Sequence, residues 1–553
     1  MDSLAEGAKQ LTMLKKSLQA IRTRKDLIIL ILLNFITNYL FIFQYGFYSD
    51  DWSLIVYSDF ITSSYRYLLL DSQRPIDHVL FKFMAEVIPH QPIWFHLIGF
   101  ITTSLMLLLV YEIAKKIFHE FGCNGLVYPF VTAVIYCVLF NKDQIYPWAI
   151  LSNGFGYLTY LLSFYFFLHR KQQWYLIFSL SAYTLGLFTY EIGFALPILF
   201  LAYEYLADKK EKAAFIFAVP LTGYLLIKMT RWFGYGHVIF DRGIGNWEIH
   251  ALLSHSLHII EAIFYIPLKQ LVYATIGLQQ LPLWIVGGLI VMNLAVVHFI
   301  LNRIAPFSST PWFSPKYLLF TIITTASFTL PYVLRGAIET RGFVFIDIGL
   351  ALLIVPALLR LPDRSGLHIG LTIIIVASII ICQGLYVNWV MAGNIQRDID
   401  RYIGNNAEKI EQFDYVYLNT TSFAMHRPYK VERDILGPLK DLYYRGLWQD
   451  PFKEGDKVQG RISPLSCWNC TYSPYYNVPG LDTWALSSMM RGNLGIPHVP
   501  LLLYGQDSVQ PVGITDVTIT YENISSGGPA ITVEKSRIFE IQYCQISGSY
   551  HCQ

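Results

Sequence analysis

The stretch LIILILLNFITNYLFIFQYGF, Leu27 to Phe47, contains no charged residue. It is long enough for one helical crossing of a bilayer, whose hydrocarbon core requires about 20 apolar residues. The whole chain of 553 residues is 54% hydrophobic and 14% charged, whereas soluble domains carry about 25% charged residues. Its net charge of +2, without a basic stripe, also gives no reason to expect nucleic acid as a partner. We therefore predict a mainly α, polytopic transmembrane helix bundle.

Other apolar runs of suitable length follow along the chain. We predict about eleven spans in total, some of them short. The predicted spans are Leu27 to Phe47, Ile93 to Ile113, Val127 to Phe140, Trp148 to Leu168, Trp174 to Tyr190, Ile192 to Ala207, Ala213 to Met229, Leu281 to Leu301, Tyr317 to Leu334, Phe343 to Leu359 and Ile369 to Ala392. The pair of spans around Glu191 has a second interpretation as a single re-entrant hairpin.

The lysines and arginines of the short loops predict the orientation, because such loops stay cytoplasmic. Basic residues gather in the arm 1–26 and in alternate loops, for example at Lys115, Arg170 and Lys209. We expect a multi-pass protein of the inner (plasma) membrane with a cytoplasmic N-terminus. Eleven crossings then place the chain after Ala392 in the periplasm or outside the cell. The first apolar run is too long for a cleavable signal peptide, and no small-residue cleavage site follows it.

This orientation predicts three regions. They are a cytoplasmic arm (1–26), a transmembrane domain (27–393) with outer loops at 48–92 and 230–280, and an extracytoplasmic domain (394–553). The loop 230–280 holds an amphipathic stretch from His250 to Leu278 that we interpret as too polar to cross and too apolar to leave the interface. Alternating patterns at Tyr415 to Leu418 and Val517 to Tyr521 indicate strands, so we expect the last region to be α/β or β-rich.

The cysteines fit the same orientation. Cys467, Cys470, Cys544 and Cys552 all fall in the region predicted to lie outside, where four cysteines most often form two disulfides. Cys467 and Cys470 have the spacing of a redox or zinc motif, but no second close pair or histidine accompanies them. We favour structural disulfides and leave their connectivity open.

The first outer loop concentrates charge in a chain where charge is otherwise sparse. It contains the acid pair Asp50 and Asp51, followed by Arg74 and Lys82 among other ionisable residues. Acids close to a bilayer beside basic partners are suited to proton transfer. Adjacent residues point in different directions, so one aspartate is the candidate base and the other a candidate helix cap. The alternative is that both aspartates only cap a helix or lie in a solvated loop. The pair by itself does not decide between the two interpretations.

Further charged residues stand at the ends of later spans. Arg335 and Arg341 bracket Glu339, and arginine suits phosphate because its fork donates two hydrogen bonds. The alternative is ordinary anchoring at lipid headgroups. Glu191 interrupts two apolar spans, where an acid is costly unless it faces a polar cavity or lies in an exposed turn. Both interpretations of Glu191 stay open.

These motifs resemble those of the GT-C class of membrane glycosyltransferases. Tyr48-Ser49-Asp50-Asp51-Trp52 with Arg74-Pro75 is similar to the acid pair and downstream basic-proline element of bacterial members. Thr189-Tyr190-Glu191 resembles a glutamate motif of a second outer loop, and the run from Thr340 to Leu353 resembles an element that opens a late helix. The resemblance covers the membrane part only.

The resemblance implies an enzyme that transfers a sugar, with inversion, from a polyprenyl-phosphate carrier to an acceptor on the outer face. The acceptor is a glycan, a lipid or a protein of the cell envelope. By position, Asp50 and Asp51 match the catalytic acids, and they are also the candidate ligands of a divalent metal (Mg²⁺ or Mn²⁺), whose requirement stays open. We assign the donor phosphate to Arg74, Lys82, Arg335 and Arg341, and substrate binding to Trp52, Glu191 and Glu339. The alternatives are a transporter or flippase of lipid-linked saccharides and a glycan polymerase or ligase.

Overall fold

The computed structural model describes most of the membrane region and three strands near the C-terminus. Its described residues are 25–46, 64–71, 74–89, 91–123, 125, 127–141, 146, 151–209, 212–235, 249–279, 281–304, 314–335, 342–359, 364–405, 415–419, 507–521 and 531–545. The chain divides into two units. One comprises Met1–Phe43 and Thr62–Val387, and the other comprises Gln44–Ile61 and Asn388–Gln553.

The membrane region is helical. Its helices are α1 (Lys25–Gln44), α2 (Tyr65–Asp71), α3 (Pro75–Val87), α4 (Pro92–Glu120), α5 (Val127–Val138), α6 (Leu151–Leu168), α7 (Gln173–Thr189), α8 (Leu196–Leu206), α9 (Ala218–Tyr235), α10 (Ile249–Gln279), α11 (Leu283–Ile304), α12 (Pro315–Arg335), α13 (Phe343–Leu359) and α14 (Arg364–Asn405). Short 3-10 turns at Glu191–Gly193 and Ala214–Phe217 precede α8 and α9. Pro75 and Pro92 stand in the first turns of α3 and α4, where a missing N–H costs nothing.

Six helices in the described part of the chain are long and apolar enough to cross a membrane. They are α1, α4, α11, the stretch Leu252–Gln279 of α10, Pro315–Leu334 of α12 and His368–Val387 of α14. Shorter apolar helices lie at Val127–Val138, Gly154–Leu168, Ala214–Met229 and Phe343–Leu358. The chain is thus mainly helical and has the helices of a multi-pass membrane protein, as predicted. The eleven crossings and the sidedness remain predictions.

Two ends of the bundle are defined by their contacts. At one end, Arg303 pairs with Asp26 and Lys209 with Glu120. We call this the Arg303 end. Helices α4 and α8 begin at the opposite end, where the turn between α7 and α8 carries Glu191. We call this the Glu191 end.

Polar side chains join helices in the bundle interior. Asn34 of α1 donates to Thr103 Oγ1 (3.2 Å) and Ser104 Oγ (3.0 Å) of α4. Gln383 of α14 exchanges hydrogen bonds with Asn293 of α11 at 2.9 and 3.1 Å. Within a bilayer such bonds stabilise helix association by about 0.6 kcal/mol on average. The polar residues of the first span therefore have a packing role.

The second unit contains a three-stranded sheet of β1 (Tyr415–Asn419), β2 (Asp507–Tyr521) and β3 (Ile531–Gln545). The strand order is β1-β3-β2, with β1 parallel and β2 antiparallel to β3. The alternating pattern at Tyr415 lies in β1 and the one at Val517 lies in β2. The class of the whole C-terminal domain stays a prediction, as does the domain division at residue 394, which falls within α14.

Candidate functional site

The turn that carries Glu191 is held by the tyrosine ring of Tyr160 on α6. The Tyr160 hydroxyl donates to the carbonyl oxygen of Tyr190 at 2.8 Å. A Cβ atom at Gly186 or Gly193 would lie 2.7 or 2.5 Å from this ring. Only glycine leaves room for the ring at these two positions, so the backbone on both sides of Glu191 is closely packed.

Glu191 binds Arg74, which precedes the first residue of α3. Arg74 Nε donates to Glu191 Oε2 at 3.1 Å, and Arg74 Nη2 donates to Oε1 at 2.9 Å. The guanidinium carbon lies 4.7 Å from the centre of the Tyr190 ring. Bidentate geometry and the aromatic face together orient the guanidinium. The structure thus joins two predicted site residues that are 117 positions apart in the chain.

The remaining donors of Arg74 are directed away from Glu191. Within the described part of the chain, the hydrogen bonds of Arg74 are the two to the glutamate. A guanidinium has five N–H donors, so its Nη1 edge is available to another acceptor. The side chains of Arg74 and Glu191 are 37% and 32% exposed. The pair is therefore partly exposed at the Glu191 end of the bundle.

The charges around the pair are mutually dependent. Burial by itself would raise the pKa of Glu191, but the charge and hydrogen bonds of Arg74, with the charge of Lys228, lower it to about 2. Burial would lower the pKa of Arg74, but Glu191 and, more weakly, Asp77 raise it above its usual range. Both members of the pair are thus ionised at neutral pH.

His78 lies one turn after Arg74 on α3. Burial, followed by the charges of Arg74 and Lys228, lowers the pKa of the imidazole to about 4. The ring is therefore neutral at pH 7. A neutral imidazole beside two cations can accept a hydrogen bond from a hydroxyl group without adding charge.

Lys82 lies further along α3 and has a different partner. Its Nζ is 2.6 Å from Glu86 Oε1 and 5.1 Å from the centre of the Tyr65 ring. The Tyr65 hydroxyl also donates to Glu86, at 2.5 Å. Lys82 is buried, and its ion pair with Glu86 belongs to this contact between α2 and α3. Its role at a donor phosphate stays a prediction.

Several predicted site residues lie outside the described residues. These are Asp50, Asp51, Trp52, Glu339, Arg341, Cys467, Cys470 and Cys552. Arg335 is the last residue of α12 and Cys544 lies in β3, but the structure describes neither side chain. Catalysis by the acid pair and the disulfides accordingly remain predictions. The three cysteines with described side chains, Cys123, Cys137 and Cys382, are buried and form no disulfide among the described residues.

Metal ligands do not cluster in the described ranges. There, no group of three or more histidine, cysteine, aspartate or glutamate side chains is placed to hold an ion. The predicted ligands Asp50 and Asp51 are outside those ranges, so a divalent metal stays a prediction.

Two ionisable residues at the Glu191 end were missed by the sequence analysis. Lys228 lies in the last part of α9, with its Nζ 5.4 Å from the centre of the Tyr224 ring. It lies next to the last residue of the predicted span Ala213 to Met229, and the sequence analysis did not single it out. Its charge nevertheless acts on both Glu191 and His78.

The second missed residue is Asp347, the one charged residue of α13. Its side chain is fully buried and accepts a hydrogen bond from Asn141 Nδ2 at 3.3 Å. Two positions earlier, the Phe345 ring lies 4.9 Å from that of Tyr157, which is 5.9 Å from the ring of Tyr190. Helix α13 thus adjoins the Glu191 turn. An acid inside an apolar span is a functional candidate by itself, and that rule identifies Asp347 from the sequence.

Compared with models of protein families and with curated proteins, the chain matches none.

Proposed function

We propose that the protein is an inverting glycosyltransferase. It transfers a sugar from a polyprenyl-phosphate carrier to a glycan, lipid or protein acceptor at the Glu191 end of the bundle, which faces away from the cytoplasm. The observation that carries this proposal is the Arg74–Glu191 pair. It joins the basic-proline element of the first outer loop to the glutamate motif between α7 and α8, two elements that each resemble motifs of the GT-C class.

The chemistry of the pair suits a phosphate leaving group. Departure of polyprenyl phosphate leaves negative charge on a phosphate oxygen, and an oriented guanidinium stabilises that charge without reorganisation. Glu191 occupies one edge of Arg74 and thereby directs the Nη1 edge toward an incoming oxyanion. In this role Glu191 is a positioning residue and Arg74 binds the phosphate.

The transfer also requires a base for the acceptor hydroxyl. Asp50 is our candidate for that base and Asp51 for its neighbour in substrate or metal binding. The nearby charges of Arg74 and Lys228, with burial, keep the His78 imidazole neutral. Asp50→Asn is expected to lower transfer by orders of magnitude, because an amide cannot take up the hydroxyl proton.

The test is complementation in a strain that lacks the gene. Lipid-linked saccharides, surface glycans and envelope proteins are measured by mass spectrometry for wild type, Asp50→Asn, Arg74→Ala and the control Lys316→Gln. Lys316 forms an exposed pair with Asp208 at 2.5 Å at the Arg303 end, so its loss leaves the proposed site intact.

The expected result is accumulation of the polyprenyl-linked sugar and loss of one sugar from one envelope product in the first two variants. The control variant should match wild type. If Arg74→Ala and Asp50→Asn both retain the wild-type product at wild-type protein levels, the proposal is wrong. Movement of the labelled lipid across vesicles with its sugar intact would favour a flippase instead.

A further inference from the structure

Helix α10 is long and apolar enough to be counted as a crossing. Its stretch Leu252–Gln279 has 28 residues and a mean hydropathy of 1.4, and about 20 apolar residues suffice to span a bilayer. Helix α10 is not among the eleven predicted spans. If it crosses the membrane, every later helix runs in the direction opposite to that prediction. The contacts at its two ends decide between these possibilities.

The first turns of α10 lie at the Glu191 end of the bundle. His255 Nδ1 is 3.2 Å from the carbonyl oxygen of Val333, in the last turn of α12. The next helix, α13, starts at this level, since Gly342 packs against the ring of Tyr332. The opposite end of α12 carries Lys316, which pairs with Asp208 at the Arg303 end. Residue 255 is thus level with the Glu191 end.

The last turns of α10 do not reach the Arg303 end. Ala274 and Leu278 of α10 both contact Gly384 of α14. The preceding residue, Gln383, pairs with Asn293, ten residues before Arg303 on α11. At 1.5 Å per residue, Asn293 is about 15 Å from the level of Arg303. The end of α10 is therefore near the middle of the bundle.

The start of α11 lies farther still from the Arg303 end. Leu283 lies twenty residues before Arg303 in one helix, which puts it about 30 Å from the Arg303 end. The chain links α10 to α11 through residues 280–282 alone. Helix α10 therefore enters and leaves on the side of the Glu191 turn.

One face of α10 is apolar and exposed along the whole helix. The exposed residues recur at intervals of three and four, as on one stripe of a helix. They are Leu253, Leu257, Ile260, Phe264, Leu268 and Leu271. The opposite face is buried at Ile259, Ala262 and Ala274. The neighbouring helices α11 and α12 also expose large apolar side chains, for example Val291 and Leu318, so the stripe continues a surface that lipid covers.

We propose that α10 is a re-entrant interfacial helix that dips into the leaflet at the Glu191 end and does not cross. The occupant of its apolar stripe is the boundary between headgroups and acyl chains of that leaflet. The helix descends obliquely from its first turns toward the bundle middle. This placement is independent of the glycosyltransferase proposal, because it follows from helix contacts and not from chemistry.

Sidedness is tested with single cysteines and a membrane-impermeant maleimide on right-side-out and inverted vesicles. The reporters are Ser254→Cys and Gln279→Cys at the ends of α10, with exposed reference sites Gln91→Cys at the Glu191 end and Lys171→Cys at the Arg303 end. We expect both α10 reporters to react from the side of Gln91→Cys. Reaction of the two from opposite sides overturns the proposal.

Depth is measured separately, so that a poorly reactive cysteine still gives an answer. Spin labels at residues 253, 257, 264 and 271 report collisions with lipid-soluble oxygen relative to a water-soluble nickel chelate. The re-entrant helix predicts that depth increases steadily from 253 to 271. A crossing helix instead gives the greatest depth near 264 and shallow positions at both ends. That profile contradicts the proposal whatever the transferase assay shows.

Discussion

The two ends of the bundle use charge differently. At the Arg303 end, the acidic member of an ion pair binds both its cation and backbone amides. Arg170 Nη2 lies 3.0 Å from Glu204 Oε1, and Glu204 also accepts from the amides of Ala213 and Ala214. At the Glu191 end, the Arg74–Glu191 pair is about one third exposed and leaves a guanidinium edge available. In the first arrangement the buried carboxylate is satisfied by a cation and two backbone amides, whereas the second pair is partly exposed at the Glu191 end.

The largest effect on stability is therefore expected at the Arg303 end. Arg170→Met leaves the buried Glu204 carboxylate without its cation, which costs about 3–5 kcal/mol in comparable buried pairs. We expect a large drop in thermal stability in detergent, measured by fluorescence-detected unfolding. The double variant Arg170→Met with Glu204→Gln retains an acceptor for the two amides and should lose less than the single variant. Equal losses would mean that the pair contributes through packing alone.

The largest effect on activity is expected at the Glu191 end. Glu191→Gln keeps the shape but removes the charge that orients Arg74, a loss of about 1.5–3 kcal/mol for a charged hydrogen bond. Transfer should fall by about 10- to 100-fold. Arg74→Lys should fall similarly, since an ammonium lacks the bidentate fork. The control is that each variant is folded at the assay temperature and present at the wild-type protein level. An unchanged kcat/KM in Glu191→Gln would remove its positioning role.

Asp347 should give an intermediate effect on stability. Asp347→Ala leaves the Asn141 amide without this acceptor, and an unsatisfied buried group costs about 1–3 kcal/mol. Asp347→Asn keeps an acceptor oxygen and should stay closer to wild type in melting temperature. If the two variants are equally stable, the bond to Asn141 does not contribute.

The smallest expected effect is a pH dependence of the free energy of unfolding, which arises from residues at the Glu191 end. The pKa of His78 is lowered to about 4 in the folded protein. Its neutral form therefore stabilises the fold fully above about pH 6.5, and this contribution is lost as the pH falls toward 4. The slope for one group cannot exceed about 1.4 kcal/mol per pH unit. Glu191, lowered to about 2, loses its contribution only below about pH 4.5.

The measurement is melting temperature between pH 7.5 and 5, where the imidazole of His78 takes up a proton in the unfolded chain but stays neutral in the folded one, and where Glu191 stays ionised. His78→Gln should flatten the curve in this interval, while the Lys316→Gln control should retain it. A curve that is identical in wild type and His78→Gln would show that other groups set the dependence.

Helix positions were the most predictable part of the fold, because apolar run length reflects bilayer thickness directly. The run from Leu27 predicts α1, and the run from Phe343 predicts α13 with its first and last residues. The sequence also drew attention to Arg74 and to Glu191, but each alone had an ordinary alternative. Their pairing is a contact across 117 positions, and no local pattern encodes such a contact.

Other features depend on packing that run length does not report. The amphipathic pattern of α10 favoured an interfacial position. Its proposed depth follows only from the contacts with Val333 and Gly384. Lys228 shares the end-of-span location of many headgroup anchors, and its influence on Glu191 arises from tertiary structure. The rule that an acid inside an apolar span is a functional candidate identifies Asp347 from the sequence. The run that contains it was interpreted only as a helix-opening motif.

The ring of Tyr160 has a consequence for how related chains should be searched for. It fixes the Glu191 turn through two glycines and a carbonyl oxygen, all of them uncharged, so the carboxylate inherits its position from neutral neighbours. In a distant homologue the residues at Arg74 and Glu191 can differ, but the turn would still need a small residue at Gly186 and at Gly193 and a tyrosine at Tyr160. A search profile weighted on that steric triplet would recover relatives that a profile weighted on acids and bases overlooks.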